Sequence, residues 1–192
     1  MRYTIVVLTI LGALSIVSFS FSAKAQSAKA TTKQGKIARA MEAAPTSISG
    51  NATILEADGT VLRSGTNGWQ CLPNMGPGSD HPACNDEVWI RFMNAYAHHA
   101  DFTTNRVGIS YMLAGDDNVS NVDPFDKTKD PGEVWVQEGP HLMIVLPDPK
   151  SLDGIPDDPN NGGPYVMWKG TPYAHIMVPI AGRKAEKQNP GM

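Results

Sequence analysis

The chain has 192 residues, 16 basic against 19 acidic side chains, a formal net charge of −3 and two cysteines. That balance argues against a nucleic-acid or anionic-membrane partner, either of which requires clustered positive charge. The length suits a single domain able to bury a core of its own.

Met1-Arg2-Tyr3 supplies a short basic region, "TIVVLTILGALSIVSFSF" an uncharged apolar run, and Ala23-Lys24-Ala25 an A-x-A pattern for cleavage before Gln26. Residues 1–25 therefore read as a signal peptide, and the rest as exported, periplasmic or secreted, with no membrane attachment after cleavage. An uncleaved anchor is the competing reading, but no stop-transfer pattern follows the run. Arg2 and Lys24 leave with the leader and no acid does, so the exported part is more acidic still.

Residues 26–35 are small, polar and basic and read as a flexible lead-in to one domain over 36–180. "KIARAMEAA", Lys36 to Ala44, predicts a helix that Pro45 stops. "NATILEADGTVLRSG" predicts two strands around the hairpin signal Asp58-Gly59. Cys71 and Cys84 then flank "LPNMGPGSDHPA", a stretch of turn formers. In an oxidising compartment the pair predicts one disulfide, worth roughly 3 kcal/mol for a loop of this size in the chain-entropy model. Metal ligation by the two cysteines with His81 is the alternative, and it lacks the close spacing of zinc sites.

Asn85 is placed as the cap of the clearest helix. Asp86 and Glu87 fill its first turn, and Val88, Trp89, Phe92, Met93 and Tyr96 form its apolar stripe. The helix is expected to fade near His98-His99, where a capping role at its negative end is the simplest function for the imidazoles. Further strands are predicted at "VGISYML", "EVWV", "HLMIVL", "YVMW" and "YAHIMVPI", with acidic Gly/Pro/Asp loops between them and a frayed tail over 181–192. "HLMIVL" is apolar on both faces, as befits a central strand. Strands outnumber helices and mostly follow one another directly. The fold class is therefore α+β, a single domain with a mainly antiparallel or mixed sheet and two to three helices. A faint echo, Val134-Trp135 to Met143 against Met167-Trp168 to Met177, suggests two similar hairpins.

The chemistry-bearing candidates are His141 with Met143 and His175 with Met177, each a His-x-Met tripeptide within a predicted strand. Side chains two apart on a strand share a face, so each tripeptide aims an imidazole and a thioether the same way. Neighbouring strands would gather two nitrogens and two sulfurs around one ion, a donor set that suits copper better than zinc, magnesium or calcium. The competing reading is core packing, with methionines filling gaps and the histidines hydrogen-bonded. Calcium at the acidic loops around Asp116-Asp117 and Asp148 to Asp158 lacks the alternating-oxygen loop pattern. Hydrolase signatures are missing: there is no G-x-S-x-G, no H-E-x-x-H and no phosphate-cradling glycine loop. A dispersed triad using His141 or His175 remains a further alternative, and the chain leans away from being an enzyme. Trp69, Trp89, Trp135 and Trp168 are core residues or the lining of an organic-ligand pocket.

The two tripeptides resemble an element of a small family of exported copper carriers, over those six residues only. The segments "DGTVLRSGTNGWQC", "GPHLMIVLPDP" and "NGGPYVMWKGTPYAHIMV" are similar to a group of uncharacterised exported bacterial proteins. That resemblance implies an exported bacterial domain and no activity, substrate or catalytic residue. The functional expectation is copper binding through His141, Met143, His175 and Met177. The alternative is a non-metal ligand-binding or interaction module built on the disulfide-stapled loops. No particular protein partner is implied.

Overall fold

The computed structural model describes residues 31–129 and 132–183, so the expected signal peptide, the start of the expected lead-in and the tail beyond 183 lie outside the described residues. Helix α1 spans Lys33–Met41, capped by the Thr32 hydroxyl, which accepts from the Gly35 amide at 3.0 Å. It begins three residues earlier than the sequence suggested, so Lys33 to Gly35 are its first turn rather than lead-in. Pro45 precedes a short α2, Thr46–Ser49. Strands β1 (Thr53–Leu55) and β2 (Val61–Arg63) form the expected hairpin, with Gly59 at φ 87°, a conformation glycine adopts without strain. There follow β3 (Gln70–Leu72), β4 (Ala83–Asn85), α3 (Glu87–Ala97), β5 (Gly108–Met112), β6 (Asn118–Ser120), β7 (Trp135–Gln137) and β8 (His141–Val145). A 3-10 turn at Pro149–Leu152 leads to β9 (Tyr165–Met167) and β10 (His175–Pro179).

The main sheet has eight strands in the order β2-β1-β3-β4-β5-β8-β10-β9, and β6-β7 form a separate ribbon. Among the described residues only β1 and β3 pair in parallel, so the sheet is mixed but mainly antiparallel, and the domain is α+β as its sequence predicted. Among the described residues no helix is long and apolar enough to cross a membrane. The echo between the two His-x-Met regions is only half a structural one. β9 and β10 pair as a hairpin, whereas β7 pairs with β6 and not with β8.

The cap of α3 is Asp86, not Asn85. Its carboxylate accepts from the Trp89 amide at 2.7 Å, and its second oxygen accepts from the Ile109 amide at 2.8 Å. One side chain therefore satisfies a helix end and ties it to β5. Asn85 ends β4 instead, buried, where its side-chain oxygen accepts from the Ser110 hydroxyl at 2.6 Å.

The two longer helices, α1 and α3, cover opposite faces at opposite ends of the sheet. α1 packs with Ile54, Cys71, Cys84 and Tyr111, while α3 packs with Met112, Met143, Val145, Met167 and Met177. Cys71 and Cys84 lie directly opposite each other on β3 and β4, disulfide-bonded and fully buried. Both cysteines thus sit in paired strands, and only the residues between them are irregular. β8 is central, between β5 and β10, but its faces are unequal: His141, Met143 and Val145 are buried, Leu142 and Ile144 half-buried. Just before β8, Glu138 is almost fully buried and clasped by Arg183, whose Nη2 lies 2.6 Å from its carboxylate, and by the Tyr165 hydroxyl at 3.0 Å. Arg183, expected in a frayed tail, also donates to the Pro159 carbonyl and so binds the last described residues to the sheet.

Two outcomes follow from this packing. A β-carbon on Gly108 would stand 2.7 Å from both Val145 and Val88, leaving α3 no room on the sheet. Gly108→Ala should lower unfolding stability by about 1–3 kcal/mol in a denaturant titration. Replacing both Cys71 and Cys84 by alanine should cost roughly 3 kcal/mol in the same assay, with reductant lowering wild type to match.

Candidate functional site

β8 and β10 are antiparallel neighbours, with Met143 directly opposite Met177, and Leu142 and His141 opposite Val178 and Pro179. Directly opposed residues share a face, as do residues two apart, so His141, Met143, His175 and Met177 all project from the side covered by α3. The register brings the two thioethers together and sends the imidazoles to opposite ends. His175 stands level with Val145, four residues from His141, which puts their α-carbons roughly 14 Å apart. The four side chains therefore do not form one ring about a single ion, whose metal–nitrogen bonds would be about 2 Å.

Each histidine instead has a methionine directly across from it. Met112 of β5 faces His141, and Met167 of β9 faces His175. In the order β5-β8-β10-β9 the pattern Met112, His141, Met143 is repeated by Met167, His175, Met177 about a local two-fold axis through the Met143–Met177 pair. No pattern in the sequence singles out Met112 and Met167. Each was visible as a methionine in a predicted strand, but which strands flank the His-x-Met pair is a matter of topology.

The histidines are held alike. His141 Nδ1 lies 2.7 Å from the Gly139 carbonyl and His175 Nδ1 2.9 Å from the Tyr173 carbonyl, in each case two residues back along its own strand. A carbonyl can only accept, so Nδ1 carries the hydrogen, and in the neutral ring Nε2 presents a lone pair. Both rings are buried, and among the described residues neither Nε2 has a hydrogen-bond partner. This is the tautomer and second-sphere anchoring found for metal-ligating imidazoles. Burial pushes the His175 ring down to about 4, only partly opposed by its bond to Tyr173 and reinforced by His141.

A cleft of about 790 Å³ opens onto this face. Met112, Met143, Met167 and His175 reach it from the sheet, and Trp89, Phe92, Met93 and Tyr96 from α3. Trp168, Trp89 and Phe92 present ring contacts to His175 at centroid distances of 5.0, 5.4 and 5.8 Å. A ladder of stacked rings runs Trp168, Tyr96, Phe125, His99, and its two ends, Trp168 at φ 56° and His99 at φ 52°, are the non-glycine residues with positive φ among those described. Trp168 is kept in that unfavourable conformation by its amide and indole N–H, which donate to Asn121 and Ser120 carbonyls at 2.9 and 2.8 Å. The indole N–H of Trp89 is buried and has no partner among the described residues.

Aspartates 116, 117, 123 and 126 line the mouth with Lys127. Asp116 is partly buried, which pushes its carboxyl up, while His141 and His81 pull it back down. Among the described residues no group of three or more His, Cys, Asp and Glu side chains is arranged to hold a metal, so the acidic loops form no oxygen cage. His81 Nδ1 pairs with Asp117 at 2.9 Å, but no hydroxyl among the described residues bonds its other nitrogen, as a dispersed triad would require. His98 caps α3 as expected, its Nδ1 donating to the Asn94 carbonyl at 2.7 Å. Trp69 packs in the other core, against Tyr111.

Protonating the buried His175 ring costs stability. Its folded value lies below the unfolded one, so its contribution is complete above about pH 6.5, is lost as pH falls, and is gone below about pH 4. Across that window wild type should lose up to about 3 kcal/mol that His175→Leu does not, measured by denaturant titration at each pH.

No protein-family model, curated protein or solved structure matches the chain.

Proposed function

We propose that this is an exported binding protein for a soft monovalent cation, Cu(I), held at the cleft floor by His175 Nε2, Met167 and the Met143–Met177 pair. The observation that carries this reading is the His175 Nε2: buried, unpartnered, anchored through its other nitrogen, and directly across from a methionine that reaches the cleft. Thioethers and a neutral imidazole add no negative charge, and they match a soft low-charge ion far better than zinc, magnesium or calcium. The Trp168 ring, its centroid 5.0 Å from that of His175, is near enough to add cation–π attraction to the same ion. The aspartates at the mouth raise the local concentration of cations without taking part in binding.

A second reading, an organic ligand, has its own support in the Trp89 indole N–H. That group can only donate, so it gains nothing from a metal ion. A ligand hydroxyl could accept from Trp89 and donate to His175 Nε2, with its apolar body among the aromatic walls, in a cleft of ordinary ligand size.

Anaerobic competition against a chromophoric Cu(I) chelator separates the two. Cu(I) affinity should fall by at least about tenfold in His175→Ala and in the volume-conserving Met167→Leu, while Trp89→Phe keeps it. Unchanged affinity in both of the first two variants would remove the metal reading.

A further inference from the structure

His141 and Met112 have no part in the site just described, yet their half of the array repeats that site's construction. His141 and His175 share the same strand position relative to their methionines, two residues before Met143 and Met177. Their Nδ1 atoms bond carbonyls at the same offset along the chain, and both Nε2 atoms are buried without partners. Met112 stands to His141 as Met167 stands to His175. Coincidental packing gives no reason for an orphaned nitrogen to recur with its anchoring and its opposed thioether. A buried nitrogen without a partner costs free energy each time it occurs.

We propose that the array holds two Cu(I) ions, the second bound by His141 Nε2 and Met112 on the far side of the Met143–Met177 pair. The inference rests on the copper reading of the His175 half, and the register argues for it: imidazoles four residues apart serve two centres better than one.

The two centres differ in their surroundings. The His175 half opens on the cleft and its aromatic rings, whereas His141 is fully buried and does not line the cleft. Its side is flanked by Asp116, whose amide donates to the Glu138 carbonyl at 3.0 Å, next to the Gly139 carbonyl that anchors His141. The ion at the His175 half is the one that exchanges with solvent. The ion at the His141 half reaches its site by way of Met112 and Met143, which do line the cleft. Two unit charges roughly 10 Å apart repel enough to make the second binding step about tenfold weaker than the first.

Ag(I), a redox-inert probe of the same donor preference, can be counted by native mass spectrometry and titrated by isothermal calorimetry. Wild type should bind two ions, and His141→Ala and His175→Ala one each. Met112→Leu preserves core volume and should bind one ion tightly, the second weakened by at least about tenfold. Near-ultraviolet circular dichroism checks that each variant is folded, and Met112→Leu carries the test if His141→Ala is not. One ion in wild type, retained in Met112→Leu and lost in His175→Ala, would overturn the second site and leave the first standing. Wild type binding no Ag(I) or Cu(I) would overturn both.

Discussion

The antiparallel register of β8 against β10 is the constraint on which the site depends. With Met143 opposite Met177, both tripeptides are forced onto the face beneath α3, and their histidines are forced apart. A shift of one residue would turn one tripeptide to the half-buried opposite face and dissolve the array. The register is held from both sides, by β5 through Met112 and Ser110 and by β9 through Met167 and Tyr165. Further hold comes from the buried Glu138, clasped by Arg183 and Tyr165 just before β8.

α3 completes the site because Asp86 fixes it to β5. By capping the helix and accepting from Ile109, Asp86 sets α3 at the height where Trp89 and Phe92 meet the His175 ring at near right angles. Gly108 makes the close approach achievable, since any side chain there would collide with Val88. The aromatic wall is then finished from across the cleft by Trp168, in a backbone conformation that its two hydrogen bonds to the end of β6 maintain. These elements meet around a lone pair that the protein leaves unused.

Methionine gives this arrangement two uses. As a flexible apolar side chain it fills the space between sheet and helix, and as a thioether it is a soft ligand. The imidazoles discriminate between the two uses, because packing alone would be served as well by leucine, without an unpaired nitrogen. Hydrolytic chemistry finds less support: both buried imidazoles are anchored on carbonyls rather than on a carboxylate, and in the imidazole–carboxylate pair seen among the described residues, His81 with Asp117, no hydroxyl bonds the ring, the nearby Ser79 hydroxyl accepting from the His81 backbone amide instead.

By itself the sequence determined the properties that are local or compositional. Period-two and period-3.6 patterning marked seven of the ten described strands and α3 but not the three-residue β3, β4 and β6, Asp58-Gly59 marked the hairpin, and the cysteine pair marked the disulfide, because each depends on neighbours a few residues apart or on simple counting. Even there, the choice between adjacent capping residues Asn85 and Asp86 needed the position of β5, since the Ile109 amide selects Asp86. Tertiary structure alone decided which strands are neighbours and in what register. It thereby separated His141 from His175, brought Met112 and Met167 in from strands distant in the chain, and left two nitrogens without partners. Strand pairing is a long-range choice among many similar apolar segments, and no residue pattern within one segment encodes which segment will lie beside it.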